Sequence, residues 1–373
     1  MKKILIIVPY RFLPASSGGH RYIEGWINAL ASVAKVTVIG TEDNQIDSNA
    51  LYRLLPALSP SIFRYTDYTL KGTIKELIAR NQYDFLIWEH PYFAWLAHLI
   101  KKETGIPFLL HTHNIEYQRF RSLGKWWWPL LSEYEKWAFR GADKISFITP
   151  QDKDFALEKW AIPPSHCLEI PYGITQEENP KDREEAKAII GKRHQIEKNT
   201  FIILFNGPLS YQPNREALEI IITKIEPQLR KKLVNYRIII CGGDLPKRWK
   251  FRTEVERSPY INAGFVKNIE QYIKAVQVLI NPIQKGGGVK TKSIEAIAVG
   301  TPVVTTINGA IGIDASTTGD MLHVARQDNW IDFAEKIYEI STQGENHFQT
   351  PSSFYEHYNW NQIIARSISL LPN

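Results

Sequence analysis

This 373-residue chain has few cysteines, no long apolar run and no block of like charges. Cys167 and Cys241 are too few for a disulfide-stabilised secreted domain, and two thiols suit a reducing compartment. No apolar stretch approaches the ~18 residues that a membrane-spanning helix needs. The lack of five or six consecutive like charges argues against a nucleic-acid-binding tail, so we expect no nucleic-acid partner.

The amino terminus imitates a signal peptide. Met1-Lys2-Lys3 precedes an apolar run, but Pro9 ends that run too early for the apolar region of a signal sequence. The formal charge of +6 and the isoelectric point near 9.0 favour anionic partners. We therefore expect a cytoplasmic protein, and the sequence leaves open whether it also attaches to the inner face of a membrane.

Short apolar runs alternate with helical patterns along the chain, which is typical of parallel α/β proteins. The runs are continuous rather than alternating, as expected for strands covered on both faces. They predict strands at residues 4–8, 36–40, 85–89, 108–112 and 144–149, and then at 201–207, 236–242, 261–266, 278–283, 301–306 and 321–325.

One segment, residues 285–306, indicates a function. Its sequence is KGGGVKTKSIEAIAVGTPVVTT, in which three glycines follow an apolar run and precede a helical pattern that Gly300 ends. A glycine-rich turn at the start of a helix lets backbone N–H groups approach an anion, which the helix dipole also favours. Lys290 and Lys292 fall in the first turn, where the dipole opposes a cation, and a bound anion would remove that conflict. Solvated lysines at an ordinary helix start are the alternative.

Glu295 lies a turn further along the same predicted helix, roughly 5–8 Å along its axis. That is about the distance from a diphosphate to the ribose hydroxyls of one nucleotide. The whole segment resembles the donor-binding segment of retaining GT-B glycosyltransferases of family 4. In that family Gly-x-Gly-x-basic-x-Lys-x-x-Glu-Ala precedes Gly-x-Pro-Val-Val, and every position of the pattern is present between Gly286 and Val304.

The resemblance implies an α/β protein of GT-B fold, with two Rossmann-like domains facing each other across a cleft. The polar stretch at 170–199 then separates the domains, with a hinge near Pro171–Gly173. We expect an acceptor-side domain at 1–171 and a nucleotide-sugar-binding domain at 172–351. Residues 352–373 would return to the first domain, with a crossing helix over 352–371.

The same resemblance assigns residues to the donor site. Lys290 and Lys292 would hold the diphosphate, Glu295 the ribose, and Val266 the base through its backbone. A second glycine loop follows the first strand and reaches the donor phosphate in the family, although a lone Gly-Gly also fits a plain turn. The remaining donor-binding candidates come from this loop and from the other glycine turns: Gly18, Gly19, Arg21, Gly207, Gly287 and Gly288.

Histidines end the strand predicted at 108–112. His111 and His113 share a face of that strand and could bind a metal together with His90. The resemblance instead places His113 beside the reacting sugar, so we expect His113, Lys292 and Glu295 to be catalytic and no metal to be bound. Glu116 and Arg119 would line the acceptor side. Asp152 and Asp154 imitate a metal-binding Asp-x-Asp motif, but they follow Thr149-Pro150 and indicate a helix start.

Two positions depart from the family pattern. Pro208 replaces a phosphate-binding arginine, and Gly287 stands where the first of two glutamates would contact the donor sugar. The expected activity is still that of a retaining, metal-independent hexosyltransferase with no cofactor beyond its UDP- or GDP-sugar. The alternatives are another GT-B enzyme, such as a nucleotide-sugar epimerase, or a catalytically silent nucleotide-sugar-binding partner.

The acceptor is indicated only by Trp126-Trp127-Trp128, which follow Arg119, Arg121 and Lys125. Adjacent tryptophans cannot all face one side of a helix, so at least one should be exposed. Tryptophan beside basic residues is typical of segments at an anionic membrane surface, although packing in the domain or a dimer is the alternative. A lipid-linked or cell-surface glycan precursor is the acceptor that this hypothesis predicts.

Overall fold

The computed structural model describes residues 1–15, 17–45, 50–246, 249, 258–344 and 347–371. Contacts within the chain divide it into two compact units. Unit 1 comprises residues 1–175 and 358–373, and unit 2 comprises residues 176–357.

Unit 1 contains a parallel sheet of seven strands in the order β3-β2-β1-β4-β5-β6-β7. Its central strands are buried on both faces, which explains their continuous apolar sequences. The strands are β1 Lys3–Ile7, β2 Lys35–Thr41, β3 Arg53–Leu58, β4 Phe85–Glu89, β5 Phe108–His111, β6 Lys144–Phe147 and β7 Cys167–Glu169. Among the described residues before 175, the α-helices that alternate with these strands are α1 Gly18–Ala31, α2 Thr69–Asn81, α3 Ala94–Thr104, α4 Glu116–Ser122, α5 Trp128–Gly141 and α6 Pro150–Trp160.

Unit 2 contains a parallel sheet of six strands in the order β10-β9-β8-β11-β12-β13. The strands are β8 Phe201–Asn206, β9 Tyr236–Cys241, β10 Tyr260–Gly264, β11 Val278–Asn281, β12 Val303–Thr305 and β13 Leu322–Val324. The helices are α7 Arg183–His194, α8 Gln212–Ile220, α9 Glu226–Leu229, α10 Ile269–Ala275, α11 Thr291–Ala298, α12 Trp330–Gln343 and α13 Ser352–Tyr358. A π-helical turn, Ile221–Ile225, joins α8 to α9 just before Pro227, which has no N–H to donate to a regular helix.

The chain returns to unit 1 at Tyr358. The sequence predicted one helix over 352–371, but Asn359 interrupts it, and α14 Trp360–Ser367 begins afterwards. The Asn359 backbone is extended and bridges Ile174, which explains the break. The Trp360 ring then packs so closely on unit 1 that a Cβ at Gly25 or Gly173 would lie 2.4 or 2.1 Å from it. Those glycines therefore allow the return helix to dock.

All eleven predicted strands are present, and the structure adds β3 and β7. β3 contains Pro56, lies at the edge of its sheet and is largely exposed, so its sequence lacks the apolar pattern of a buried strand. β7 has only three residues.

Each sheet contains a point at which the strand order reverses, between β1 and β4 in unit 1 and between β8 and β11 in unit 2. Loops at the carboxyl ends of neighbouring strands diverge at such points and leave a crevice for ligands. The loops that follow these four strands and β5 carry most of the sequence-predicted site residues.

Candidate functional site

The glycine loop of unit 2 follows β11 and leads into α11. Gly286 and Gly288 have φ values of 97° and 71°, a backbone region that L side chains rarely adopt. A Cβ at Gly286 would also lie 2.8 Å from the Tyr211 hydroxyl oxygen. The loop can therefore form its tight turn only with glycine at these two positions. Ile294 and Ile297 of α11 are fully buried, as their helical spacing predicted.

Lys290 closes this loop. Its ammonium nitrogen donates to the carbonyl oxygens of Gly286, Gly287 and Gly288 at 3.0, 3.2 and 2.7 Å. The helix begins at Thr291, so Lys290 is the N-cap residue rather than part of the first turn. Its charge stabilises the loop conformation as well as making the loop region positive.

Lys292 points into the interior of unit 2. Its Nζ donates to the backbone oxygen of Asn206 at 2.8 Å and lies 4.9 Å from the centre of the Phe205 ring. Burial, together with the nearby charge of Lys290, lowers the pKa of Lys292 to about 7, while Glu295 acts in the opposite direction. A bound anion would favour the charged form of this lysine.

The other glycine turns of unit 2 lie at the same edge of the sheet. The Gly207 amide donates to Cys241 O at 2.9 Å, and the Gly242 amide donates to Gly264 O at 2.7 Å. A Cβ at Gly242 would lie 2.1 Å from Gly207 O, so only glycine permits this approach. Val266 is half-buried just beyond β10, and Glu295 is half-buried on α11. The departing residue Pro208 is exposed after Gly207.

In unit 1 the Gly18-Gly19 pair opens α1, as predicted. Ser17 caps the helix by accepting a hydrogen bond from the His20 amide at 3.3 Å. Arg21 lies in the first turn. An added Cβ at Gly19 would meet none of the described atoms within 4 Å. Packing therefore does not require glycine at 19.

His113 belongs to a buried row of hydrogen-bonded side chains. Tyr22 Oη lies 2.9 Å from His111 Nε2, and His111 Nδ1 lies 2.8 Å from Glu89 Oε1. The second oxygen of Glu89 lies 2.8 Å from His113 Nε2. The sequence identified both histidines but not Glu89, which joins them.

The pKa values of Glu89 and His113 differ from those of the free side chains. Burial would raise the pKa of Glu89, but His111 and then His113 outweigh it and lower that pKa to about 2. Burial and the neighbouring His90 lower the pKa of His113 to about 3, against the opposing effect of Glu89. At neutral pH, Glu89 is therefore ionised and His113 is neutral.

His90 has an unusual backbone. Its φ of 64° and ψ of 160° fall in a region that is almost confined to glycine, at a cost of about 1–3 kcal/mol. Successive strand side chains normally point to opposite faces. At this turn, however, Glu89 bonds to His113 while the His90 ring centre also lies 4.1 Å from that of His113. The strained turn thus brings the side chains of both Glu89 and His90 to His113.

Glu116 and Arg119 lie beyond His90. Glu116 is fully buried. Its Oε1 lies 3.2 Å from His90 Nδ1, although the two atoms are not aligned for a hydrogen bond. Its Oε2 lies 3.1 Å from Arg119 Nη1. The interactions with His90 and Arg119 overcome the effect of burial and lower the pKa of Glu116 to about 2. Of the two acceptor-side candidates, Arg119 is the less buried.

Glu135 of α5 anchors this region, and the sequence pattern did not reveal it. Its two carboxyl oxygens accept hydrogen bonds from the Glu116 and Tyr117 amides at 2.8 and 3.0 Å, which caps α4 from another helix. Burial raises its pKa to about 8. The only available signal was a charged residue on the apolar face of α5. For Glu89 and His90 the signal was stronger, because both end a continuous apolar strand.

Two groups resemble metal sites. Glu89, His111 and His113 offer ligand atoms that all lie within 4.8 Å of one another, but the 2.8 Å contacts described above pair these atoms as hydrogen bonds. Asp152 lies in the first turn of α6, and its amide donates to Thr149 Oγ1 at 3.0 Å. The prediction that this acidic pair marks a helix start is confirmed.

Trp126 is 83% exposed and Leu130 is 73% exposed. Trp127 instead packs on Phe120, with ring centres 4.6 Å apart, and Trp128 stacks on Tyr117 at 5.9 Å. The prediction that at least one of the three tryptophans is exposed is confirmed. Among the described residues, no helix is both long and apolar enough to span a membrane.

Comparison with solved structures shows the fold. A sucrose-phosphate synthase from Thermosynechococcus elongatus is 16% identical, with a TM-score of 0.74 over 99% of this chain and 98% of that chain. A Rickettsia africae glycosyltransferase is 14% identical, with a TM-score of 0.68 over 99% and 97%. Anabaena HepE in complex with UDP-glucose is 14% identical, with a TM-score of 0.66 over the full length of both chains.

Comparison with protein families shows the relationship in sequence. The model described as Glycosyltransferase Family 4 matches residues 16–178, and the model described as Glycosyl transferases group 1 matches residues 200–343. No curated protein matches the sequence significantly. One family match covers most of unit 1 and the other covers most of unit 2. The chain belongs to the group 1, family 4 glycosyltransferases and has the GT-B fold.

Proposed function

We propose that this glycosyltransferase moves a hexose from a UDP- or GDP-sugar to a hydroxyl acceptor with retention of configuration. The observation that carries the proposal is Lys292, a lysine turned into unit 2 beside a glycine loop that a second lysine closes. A lysine whose charged form is disfavoured gains most from a bound diphosphate. A nucleotide sugar is also the ligand in the Anabaena HepE structure.

The proposed reaction needs no metal, because Lys290 and Lys292 would supply the positive charge near the leaving diphosphate. The bond between the anomeric carbon and the diphosphate oxygen breaks, and a bond from that carbon to the acceptor oxygen forms on the same face. The acceptor proton passes to the departing phosphate oxygen. Catalysis then rests on positioning and on stabilising the developing negative charge. Glu295 would hold the ribose and His113 the transferred sugar.

A nucleotide-release assay tests this proposal. Purified full-length protein is incubated with a panel of UDP- and GDP-sugars, with and without a mixture of lipid-linked and soluble glycan acceptors. We expect release of UDP or GDP that depends on acceptor, and a product of unchanged anomeric configuration by NMR. Conversion of the donor without any acceptor would instead identify an epimerase. Binding without turnover of any donor would identify a silent partner.

The first prediction concerns Glu295. A carboxylate that accepts both ribose hydroxyls should make wild-type protein prefer a ribose donor over its 2′-deoxy analogue by roughly tenfold or more in affinity. Glu295→Ala should bind both donors equally. Calorimetry with the donor selected by the release assay measures the difference. Glu270→Ala, which removes a carboxylate paired with Lys274 instead, is the control. Equal wild-type affinities for the two donors would show that Glu295 does not hold the ribose.

We also propose that unit 1 approaches an anionic membrane surface, which would give access to a lipid-linked acceptor. The exposed side chains of Trp126 and Leu130 are the apolar part of this surface. Arg121 lies over the Trp128 ring at 4.8 Å, and Lys125, which precedes Trp126 in the sequence, is exposed; both supply positive charge. Tryptophan and neighbouring cations are a combination that binds at the headgroup level of a bilayer.

The second prediction tests this surface by co-sedimentation with anionic vesicles. Wild-type protein should pellet with phosphatidylserine vesicles at low salt and be released at 1 M salt, where the Debye length is ~3 Å. Replacing Trp126 and Leu130 together with Ser should abolish pelleting. Trp127 and Trp128 are unsuitable targets because they pack on Phe120 and Tyr117. Phe265→Ser, a change at an exposed aromatic residue of unit 2, should have no effect. Wild-type protein that stays in the supernatant would indicate a soluble acceptor.

A further inference from the structure

The hydrogen bonds around Tyr22 determine where its proton lies. Tyr22 Oη is 2.8 Å from the carbonyl oxygen of Ile170 and 2.9 Å from His111 Nε2. A carbonyl oxygen can only accept a hydrogen bond, and the hydroxyl has a single proton, so Tyr22 donates to Ile170. The hydroxyl oxygen must then accept from His111. His111 Nε2 therefore carries a proton.

The next two contacts follow from this assignment. His111 Nδ1 and Glu89 Oε1 are 2.8 Å apart, where two lone pairs would repel, so one proton lies between them. Glu89 Oε2 is 2.8 Å from His113 Nε2. Because the proton near Glu89 is already placed on the Oε1 side, Oε2 is left to accept. His113 Nε2 must be the donor.

We propose that Glu89, held by His111 and Tyr22, is a positioning residue that keeps His113 in the neutral Nε2–H form with Nδ1 as a hydrogen-bond acceptor. No hydrogen bond links His113 Nδ1 to any residue in the described ranges, and His113 is 8% exposed. This nitrogen is therefore left for a ligand. An acceptor nitrogen recognises a hydroxyl that donates. This inference rests on the proposed function, in which His113 contacts the transferred sugar.

The protonation state of His113 determines which analogues of the donor hydroxyl the site accepts. The hydroxyl facing His113 must donate its proton, so replacing it with hydrogen or with fluorine should be equally harmful. Fluorine has nearly the size of a hydroxyl but cannot donate. If His113 instead presented an N–H, a fluorine would be tolerated far better than a hydrogen. A series of deoxy and deoxyfluoro donors therefore reports which ring nitrogen carries the proton.

Nitrogen NMR of histidine-labelled, full-length protein tests the protonation directly and needs no substrate. We expect the unprotonated nitrogen of His113 to be Nδ1, and His111 Nε2 to carry a proton. The spectrum of His113→Gln assigns the signals. A wild-type spectrum with a proton on His113 Nδ1, or without one on His111 Nε2, would overturn the inference.

Two substitutions test the positioning role. In Glu89→Gln the amide NH2 can donate to His111 Nδ1 while the amide oxygen accepts from His113, so we expect kcat within about threefold of wild type. Glu89→Leu has a similar size but no acceptor, and its kcat should fall about 10- to 100-fold with an unchanged Kd for the donor. If both variants lose the same activity, the role through the His113 proton is wrong. If Glu89→Leu does not fold, Glu89→Gln and the wild-type spectrum decide.

Two further outcomes are distinguishable. Absence of transfer with every donor would remove the proposed function, and the NMR result would then decide the protonation inference alone. One equivalent of a transition metal in freshly purified protein, lost in Glu89→Gln, would overturn the inference because the three side chains would then be ligands.

Discussion

Between pH 6 and pH 8, the affinity of this protein for its nucleotide sugar should fall about tenfold. Burial and Lys290 place the pKa of Lys292 at about 7 in the free protein, below its usual 10.5. The lysine is therefore mostly charged at pH 6 and mostly neutral at pH 8. Binding of a diphosphate requires the charged form, so the complex must take up a proton above pH 7. The diphosphate of a nucleotide sugar stays ionised throughout this range, so the ligand does not add its own titration.

Two substitutions at this position separate charge from other effects. Lys292→Arg stays charged at every pH, and its affinity should not depend on pH. Lys292→Met removes the charge-assisted contact and should bind about 10- to 100-fold more weakly than wild type at pH 6. Calorimetry in buffers of different ionisation enthalpy measures the proton uptake directly. A wild-type affinity that is flat between pH 6 and pH 8, with no proton uptake, would remove Lys292 from the phosphate site.

His90→Gly should be more stable than His90→Ala by about 0.5–2 kcal/mol, because about 1–3 kcal/mol of backbone strain outweighs about 0.4–1 kcal/mol of unfolded-state entropy. Both substitutions remove the imidazole and its 2.7 Å hydrogen bond with the Tyr10 hydroxyl. They differ only in the backbone, where φ of 64° and ψ of 160° suit glycine and strain alanine. Glycine normally destabilises a folded chain relative to alanine through its greater conformational freedom when unfolded, so the expected order is the reverse of the usual one.

Denaturant unfolding followed by tryptophan fluorescence measures this difference in unit 1. Nine of the eleven tryptophans belong to unit 1, and only Trp249 and Trp330 belong to unit 2. The same pair of substitutions at His113, which is not among the described residues with positive φ, should show the usual order with alanine more stable. If alanine is also the more stable residue at position 90, the turn after β4 is not strained. Strained backbone of this kind persists mainly at functional sites, and we expect neither variant at position 90 to retain wild-type turnover.

The strands and the glycine turn before α11 could be predicted from the sequence because their signals are local. A strand covered on both faces needs a continuous apolar run, as in Phe85–Glu89, and that requirement appears in five consecutive letters. Glycine occurs at positions 286 and 288 because the turn itself requires positive φ values there. Residues 352–371 could be assigned to helical structure, but not their interruption at Asn359, because that break depends on a bridge to Ile174.

The side-chain network around His113 depends on contacts that are distant in the chain. Glu89 and His113 are 24 residues apart, Tyr22 and Ile170 are 148 apart, and the sequence contains no spacing rule that joins them. Lys290 and Lys292 looked equivalent as two cations at one helix start. The structure separates them, since Lys290 bonds to its own loop and Lys292 reaches Asn206 across unit 2.

By itself the sequence determined the α/β class, the order of the main strands, the glycine turn that precedes the helix at residues 285–306 and the family. Each of these follows from residue type and short-range periodicity, which backbone geometry dictates locally. Only the tertiary structure decided which lysine reaches Asn206 across unit 2, which carboxylate lies between the two histidines and which tryptophan of 126–128 is exposed. Those properties arise from desolvation and proton sharing between elements that packing brings together, and both act through space rather than along the chain.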